Sequence, residues 1–458
     1  MKLTFIGACQ TVTGSQYLIE HDGKKVLLEC GLYQGHRAEA ERINRTFAFK
    51  PKDIGAVILS HAHLDHSGNL PRLAKNGFTG PVFCTAATLD VARYLLLDSA
   101  NIQETDIEHL NKKLALTNQP PKSPLYTVAD AEAVLKQFAG HSYGLPFEPV
   151  KGLKVTFFDA GHILGSCVVL IETATQKLLF SGDLGRYNMP IIKDPVVVRG
   201  PHYIMIESTY GNRVHPGPQG VTAELQKIIK TAIDERGRVL VPAFAVERTQ
   251  VLIKILKELF DSGSLRDVPV YVDSPLATNV TEVFRKHPEC FDAETLKIFE
   301  TGDPFNFPTL RYVRDKEESK SLNDRAGTMI VIAGSGMCEG GRILHHLIHS
   351  LDRENTQVVL TGFQAPGTLG HKLQQGEKKV PIYDDIYNVR ARVSFIDALS
   401  AHADGNDLFN YVKACQDNNL KKVFLVHGDL EEAVPLQERL VKLGVKVEIP
   451  ESMTQTQI

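Results

Sequence analysis

The sequence predicts an α/β protein of more than one domain, and three observations carry that reading. Short apolar runs recur along the chain, each closed by glycine or by a histidine or acidic residue, as buried strands ending in loops do. Beyond Gly211 such runs alternate with amphipathic helical stretches, the pattern of a parallel sheet covered by helices. The chain has 458 residues, 43% hydrophobic and 23% charged, which are ordinary globular values with surface enough for two or three cores.

Taken in order, Leu3–Gly7, Gln16–Glu20 and Lys25–Leu28 read as strands punctuated by Gly14, Gly23 and Gly31. Ala56-Val57-Ile58-Leu59 is a buried strand, Leu70–Lys75 a short helix and Pro81–Thr85 another strand. Apolar positions at Val91, Tyr94, Leu95 and Leu97 start a helix reaching from Leu89 to about Leu116. Thr127 and Asp130 make a capping box for a helix through Phe138. Val155–Phe158, Leu178–Phe180 and Tyr203–Ile206 are strands. In the alternating part, Leu225, Ile228, Ile229, Ala232 and Ile233 share one helical face that Gly237 closes. Arg238–Phe244, Val268–Val272, Met329–Ala333 and Gln357–Leu360 are strands; Glu247–Phe260, Thr278–Lys286 and the stretch ending at Ser350 are helices. Residues 302–325 are polar, broken by proline, and show no period. Val393–Ile396, Lys422–Val426, a helix through Leu440 and the strand Val445–Ile449 follow.

Chemistry concentrates at the strand ends. Directly after Ala56–Leu59 comes Ser60-His61-Ala62-His63-Leu64-Asp65-His66-Ser67-Gly68, three imidazoles and a carboxylate in six positions. Imidazole nitrogen and carboxylate oxygen are zinc ligands, and catalytic sites keep a position open for water. His162 after Val155–Phe158, Asp183 after Leu178–Phe180 and His427 after Lys422–Val426 repeat this placement. One consistent assignment puts His61, His63 and His162 on one zinc, Asp65, His66 and His427 on a second, and Asp183 between them. Two ions about 3.5–4 Å apart can hold a hydroxide and stabilise an in-line displacement at phosphorus. His402 suits a general acid protonating a leaving alkoxide, and Glu207 a carboxylate fixing a histidine tautomer. Gly334-Ser335-Gly336 before a helix, and Gly367-Thr368-Leu369-Gly370, are turns suited to a phosphate. His345, His346 and His349 read as a helix surface; His36, His109, His141, His202, His215 and His287 have no evident partners.

Composition narrows the classes. A net charge of −3 gives no overall attraction to nucleic acid, so such a partner needs a local basic groove. Cys9, Cys30, Cys84, Cys167, Cys290, Cys338 and Cys415 are odd in number, scattered and without a Cys-x-x-Cys pair, which suits a reducing cytosol. No apolar segment approaches the roughly 20 residues of a bilayer span, and the first residues lack a secretory signal. A soluble, cytoplasmic protein with no membrane partner is expected.

The His61–His66 cluster, His162 and Asp183 resemble the signature of the metallo-β-lactamase superfamily. Glu207, His402 and His427 correspond to the three further motifs of its β-CASP branch of nucleases, and Pro242-Ala243-Phe244, Asp273-Ser274-Pro275-Leu276-Ala277, Gly334-Ser335-Gly336-Met337 and Gln364-Ala365-Pro366-Gly367-Thr368 look like the same branch. The histidine at 427 is similar to that of RNA-acting members; DNA-repair members usually carry valine there. The chain resembles RNA nucleases related to the catalytic subunit of the cleavage and polyadenylation specificity factor.

That resemblance implies a four-layer αβ/βα metallo-β-lactamase domain, residues 1–208 and 391–458, interrupted by a β-CASP domain at 209–390, with the active site between the two. It also implies a two-zinc ribonuclease, an endonuclease with 5′–3′ exonuclease action beside it, leaving 5′-phosphate and 3′-hydroxyl ends. His402, Glu207 and Asp65 serve catalysis in this reading; His61, His63, Asp65, His66, His162, Asp183 and His427 hold metal; Ser335, Gly336, Thr368 and Gly370 contact RNA. Relatives also form homodimers. Glu247 stands where relatives commonly have glycine, and His371 where many have arginine, which weakens a phosphate contact at neutral pH. The competing readings are a thioester hydrolase, which has no use for the inserted domain or His402, and a non-catalytic RNA-binding subunit, which typically lacks metal ligands.

Overall fold

The computed structural model describes residues 1–35, 37–217, 219–265 and 267–458. Its contacts divide the chain into two units: Met1–Asn188 with Lys193–Val214 and His402–Ile458, and Met189–Ile192 with His215–Ala401. The second unit thus runs to 401, where the sequence reading set the boundary at 390, because the strand Arg392–Phe395 pairs in parallel with Gln357–Leu360.

In the first unit, among the described residues, two sheets stack. One has the strand order Gln455–Gln457, Lys2–Gly7, Gln16–His21, Lys24–Leu28, Ala56–Ile58, Val82–Thr85, Phe138–His141. The other runs Val447–Glu448, Lys422–Val426, Tyr203–Glu207, Lys177–Phe180, Cys167–Glu172, Leu153–Asp159, Phe147–Val150. Alternate residues of each strand point to opposite faces. Leu3, Phe5, Tyr17 and Ile19 of the first sheet therefore meet Phe157, Val169, Phe180 and Phe424 of the second in one buried cluster. The outer face of the first sheet, with Leu18, Leu27 and Val57, packs on Leu70, Leu96 and Val134 of its helices. The outer face of the second, with Leu179, Ile204 and Ile206, packs on Leu408, Tyr411, Leu436 and Leu440. Helix, sheet, sheet, helix is the four-layer αβ/βα arrangement.

The second unit carries a sheet ordered Leu310–Tyr312, Val270–Val272, Met329–Ala333, Arg238–Pro242, Gln357–Leu360, Arg392–Phe395. Every pairing in it is parallel. Helices such as Arg248–Asp261 and Arg342–Ser350 lie between its strands in sequence, as the alternation requires.

Local rules account for most boundaries. Thr127 and Asp130 do form a reciprocal capping box, but the helix it opens stops at Leu135. Phe138–His141 is instead a strand, drawn into register beside Val82–Thr85. The unassigned stretch 302–325 contains the strand Leu310–Tyr312 and the helix Lys316–Asp324, capped by Asp315 accepting from the Glu317 and Glu318 amides at 2.8 and 2.9 Å. Glu247 sits at φ 65°, a conformation in which glycine is at ease and a side chain is not.

Candidate metal centre

Three parallel neighbours in the second sheet of the first unit, Lys177–Phe180, Tyr203–Glu207 and Lys422–Val426, end side by side. Their carboxyl ends deliver Asp183, Glu207 and His427 to one place. The strand Ala56–Ile58 of the other sheet delivers His61 to His66, and the Cys167 amide bonds the Ser60 carbonyl at 2.9 Å to tie the two edges together. Gly182 makes that approach feasible: a Cβ there would lie 2.7 Å from the Ser60 side chain, and its φ is 55°.

The ligand-type atoms fall into two groups. His63 Nδ1 lies 3.1 Å from His61 Nε2 and 3.2 Å from His162 Nε2. Asp183 Oδ2 completes this group at 3.5 Å from His61 Nε2 and 3.6 Å from His162 Nε2. In the second group His427 Nε2 is 3.3 Å from both His66 Nε2 and Asp65 Oδ2. There Asp183 Oδ1 lies 3.3 Å from His66 Nε2. Ligands about 2.0–2.1 Å from a tetrahedral zinc are about 3.3–3.4 Å from one another, so these spacings match a coordination shell. His61 is fully buried and His66, His162, Asp183 and His427 are at most 3% exposed, while His63 and Asp65 are partly exposed. Yet Asp183 Oδ1 has no hydrogen-bond partner among the described residues. A buried carboxylate oxygen left without a donor is costly unless a cation answers it.

Electrostatics agree. Burial pushes the His61 imidazole well down, and brings His63 down to about 4, so both present neutral nitrogen lone pairs. Burial opposes a charge on His66, but Asp183 and Asp65 outweigh it and favour positive charge at that point. Burial likewise works against ionised Asp183, while His427, His66 and His61 hold its carboxyl well below the usual range. The cluster is therefore suited to metal binding.

A further layer orients these groups. Glu29, fully buried, accepts from His66 Nδ1 at 2.7 Å, leaving Nε2 turned to the second group. It also accepts from the Ser60 amide at 2.6 Å and the Ser60 hydroxyl at 3.1 Å; that hydroxyl lies 3.0 Å from His61 Nδ1. Glu29 escaped the sequence reading; the signal was an acidic residue directly after the apolar strand Lys24–Leu28, the same placement as Glu207. Glu207 accepts from the Leu184 amide at 2.5 Å and lies 3.2 Å from His402 Nδ1. Burial works against charge on His402, but Glu207, Asp183 and Asp65 overcome it and push it up to about 9.

The four candidate RNA contacts lie in the second unit and are differently placed. Ser335 Oγ accepts from the Glu339 and Gly340 amides at 2.9 and 3.2 Å, and Gln364 Nε2 donates to the Gly336 carbonyl at 3.0 Å. Thr368 caps the helix Leu369–Gln374 by accepting from the His371 amide at 3.2 Å. The Leu369 amide donates to Glu339 at 2.6 Å and the Gly370 amide to Met337 at 3.1 Å. A Cβ on Gly370 would sit 1.6 Å from Gln364 Oε1. The amides of this turn are thus engaged internally, with Glu339 already serving as the anion at the helix start. His346 is buried rather than at a helix surface, 2.7 Å from Asp273. His36 lies outside the described residues.

Comparison with known proteins gives consistent matches along the chain. Residues 10–89 match the metallo-beta-lactamase superfamily, 249–373 the Beta-Casp domain, and 386–450 the Zn-dependent metallo-hydrolase RNA specificity domain. A Thermus thermophilus protein named as a ribonuclease is 34% identical over 451 residues, covering 98% of both chains. A transcription termination factor of Methanosarcina mazei is 30% identical over 464 residues, covering 96% of this chain and 69% of its own. An RNase J-like protein of Methanocaldococcus jannaschii is 29% identical over 437 residues, covering 93% of this chain and 92% of its own. The crystal structure of a protein of unknown function from Enterococcus faecalis shares the fold with a TM-score of 0.54 at 14% identity, covering 99% of each chain. Among the described residues, no helix is long and apolar enough to cross a membrane.

Proposed function

The chain belongs to the β-CASP branch of the metallo-β-lactamase superfamily of RNA nucleases, and on that premise we propose that it is a zinc-dependent ribonuclease with a two-ion centre. The observation that carries this reading is the division of Asp183: one carboxylate oxygen faces His61 and His162, the other faces His66. His61, His63 and His162 would hold one ion, Asp65, His66 and His427 the other. Bound divalent cations supply Lewis acidity and a nucleophilic water at neutral pH. His402 is the proton donor in this reading. Glu207 occupies its Nδ1, which leaves Nε2 to protonate a departing 3′ oxygen, and its raised pKa keeps it charged at neutral pH. Cleavage then leaves a 5′-phosphate. The substrate is RNA, the reaction endonucleolytic with 5′–3′ exonuclease action beside it, the working form a homodimer, and the setting the cytoplasm.

The test couples metal analysis to cleavage of an end-labelled RNA by the purified chain. A ladder of fragments is expected, with mononucleotides marking the exonuclease component. His63→Ala should lose both metal and cleavage; His402→Ala should keep its metal and lose about 10²–10⁴-fold in kcat. Cleavage intact in His402→Ala would remove the proton-donor role and leave the metal assignment standing. Hydrolysis of thioesters with RNA untouched would overturn the nuclease reading.

A further inference from the structure

The second unit holds an aromatic feature that metal chemistry and phosphate contact leave unused. Register places it: Pro242 pairs with Ala333 on one side, and Leu240 with Val358 on the other. Two residues beyond, at the carboxyl ends of three adjacent parallel strands, Phe244 stands between the Gly334-Ser335-Gly336 turn and Gly362-Phe363. In open parallel sheets this edge is where ligands bind.

Phe244 is 41% exposed, although it follows a fully buried strand, and Phe363 beside it is 46% exposed. The ring is slotted against glycine backbone. A Cβ on Gly336 would lie 2.7 Å from Phe244 Cδ2, 2.8 Å from Cε2 and 3.0 Å from Cγ, and one on Gly362 would lie 3.9 Å from Cε2. Its main chain is pinned as well: the Phe244 carbonyl accepts from the Thr249 hydroxyl at 2.7 Å and the Thr249 amide at 3.3 Å. A ring held by its backbone and backed by glycine, with much of its surface in water, forfeits little further freedom when a flat partner covers it. The partner such a surface fits, in a chain of this family, is an unpaired nucleobase, because every base offers a π-face.

We propose that Phe244, with Phe363 beside it, forms a stacking platform for a base of single-stranded RNA on the second unit. The proposal rests on the ribonuclease reading and goes beyond it by assigning base contact, distinct from the phosphate contacts expected of Ser335 and Gly336. Stacking of this kind tolerates any base, so it gives affinity for unpaired RNA without reading sequence.

The experiment measures binding of the full chain to a fluorescein-labelled, phosphorothioate-linked ribo-oligonucleotide, alongside hydrolysis of bis(p-nitrophenyl) phosphate, a diester with no base. Phe244→Ala should weaken oligonucleotide binding by about tenfold or more and leave hydrolysis of the small diester unchanged. Phe244→Trp should restore binding and Phe244→Leu should not. An oligonucleotide of the same length made of abasic units should bind wild type and Phe244→Ala equally. Unchanged affinity in Phe244→Ala, or equal loss for the abasic strand, would overturn the platform, the latter pointing to a packing role or a protein partner at this face. If wild type cleaves neither RNA nor the small diester, the underlying nuclease reading fails instead.

Discussion

Two buried clusters in this molecule use the same residue types to opposite ends. In the first unit, Asp183 lies among His61, His66, His162 and His427 at 3.3–3.6 Å, and its Oδ1 makes no well-formed hydrogen bond among the described residues. In the second unit, Asp273 is just as buried, and each oxygen is answered. Arg342 donates at 2.6 Å to one; Ser319 at 2.5 Å and His346 at 2.7 Å reach the other, with His346 Nδ1 at 2.9 Å from Asn323 Oδ1. A matched network fixes a fold. A set of nitrogens and carboxylate oxygens converging at ligand spacing suits a cation. A count of histidines and carboxylates cannot tell the two apart; the pairing of donors with acceptors does.

The largest effect that separates the clusters should come from Asp183→Asn. This change should release metal, measured by elemental analysis, and abolish hydrolysis of RNA and of bis(p-nitrophenyl) phosphate alike, while the thermal transition of the apo protein holds or rises. A variant with full metal content would break the comparison.

Asp273→Asn should do the reverse. Removing one member of a buried, hydrogen-bonded charge pair costs about 3–5 kcal/mol, read as a lowered melting temperature with metal content unchanged. Burial opposes ionised Asp273, but His346, Ser319 and Arg342 hold its carboxyl below the ordinary range. Its contribution is therefore complete above the unfolded value of about 3.9 and is lost as pH falls through the lower folded value. The gap in melting temperature between variant and wild type should close over that acidic interval.

The smallest effect belongs to Glu29→Gln, which keeps the shape and weakens the grip on His66 Nδ1. Loss of such an orienting carboxylate typically costs about 10–100-fold in metal affinity, measurable by competition with a chelator. Unchanged affinity would make Glu29 a packing residue like those around Asp273.

What the sequence made legible follows from range. The His61–His66 group is local, and its spacing alone signals metal chemistry. Asp183 and His427 stand beside that group because each follows an apolar strand, and parallel pairing carries strand ends to a common edge. Glu29 reaches His66 across 37 positions of sequence, and nothing near it in the chain announces that bond. Thr368 and Gly370 looked like an anion turn because the same residues cap a short helix; Glu339, thirty positions before Leu369, decides which they do. The helix expected through Phe138 stops at Leu135, because Phe138 opens a short strand with no period of its own that only the neighbour Val82–Thr85 brings into register. The helix surface expected for His346 fails for a related reason: its acceptor, Asp273, lies 73 positions away.

The order of the strands along the chain has a temporal side. Tyr203–Glu207 must wait for Lys422–Val426 to emerge before it gains that parallel neighbour, whereas the sheet of the second unit needs only residues between 238 and 395. On the ribosome, where domains fold as units once their residues have emerged, the inserted part can therefore be finished while the host part is still open. His427 arrives last among the candidate ligands, so a nascent chain carries an incomplete cluster through nearly all of its own synthesis. A protein that cuts RNA would gain from that delay, since it is made on the kind of molecule it destroys.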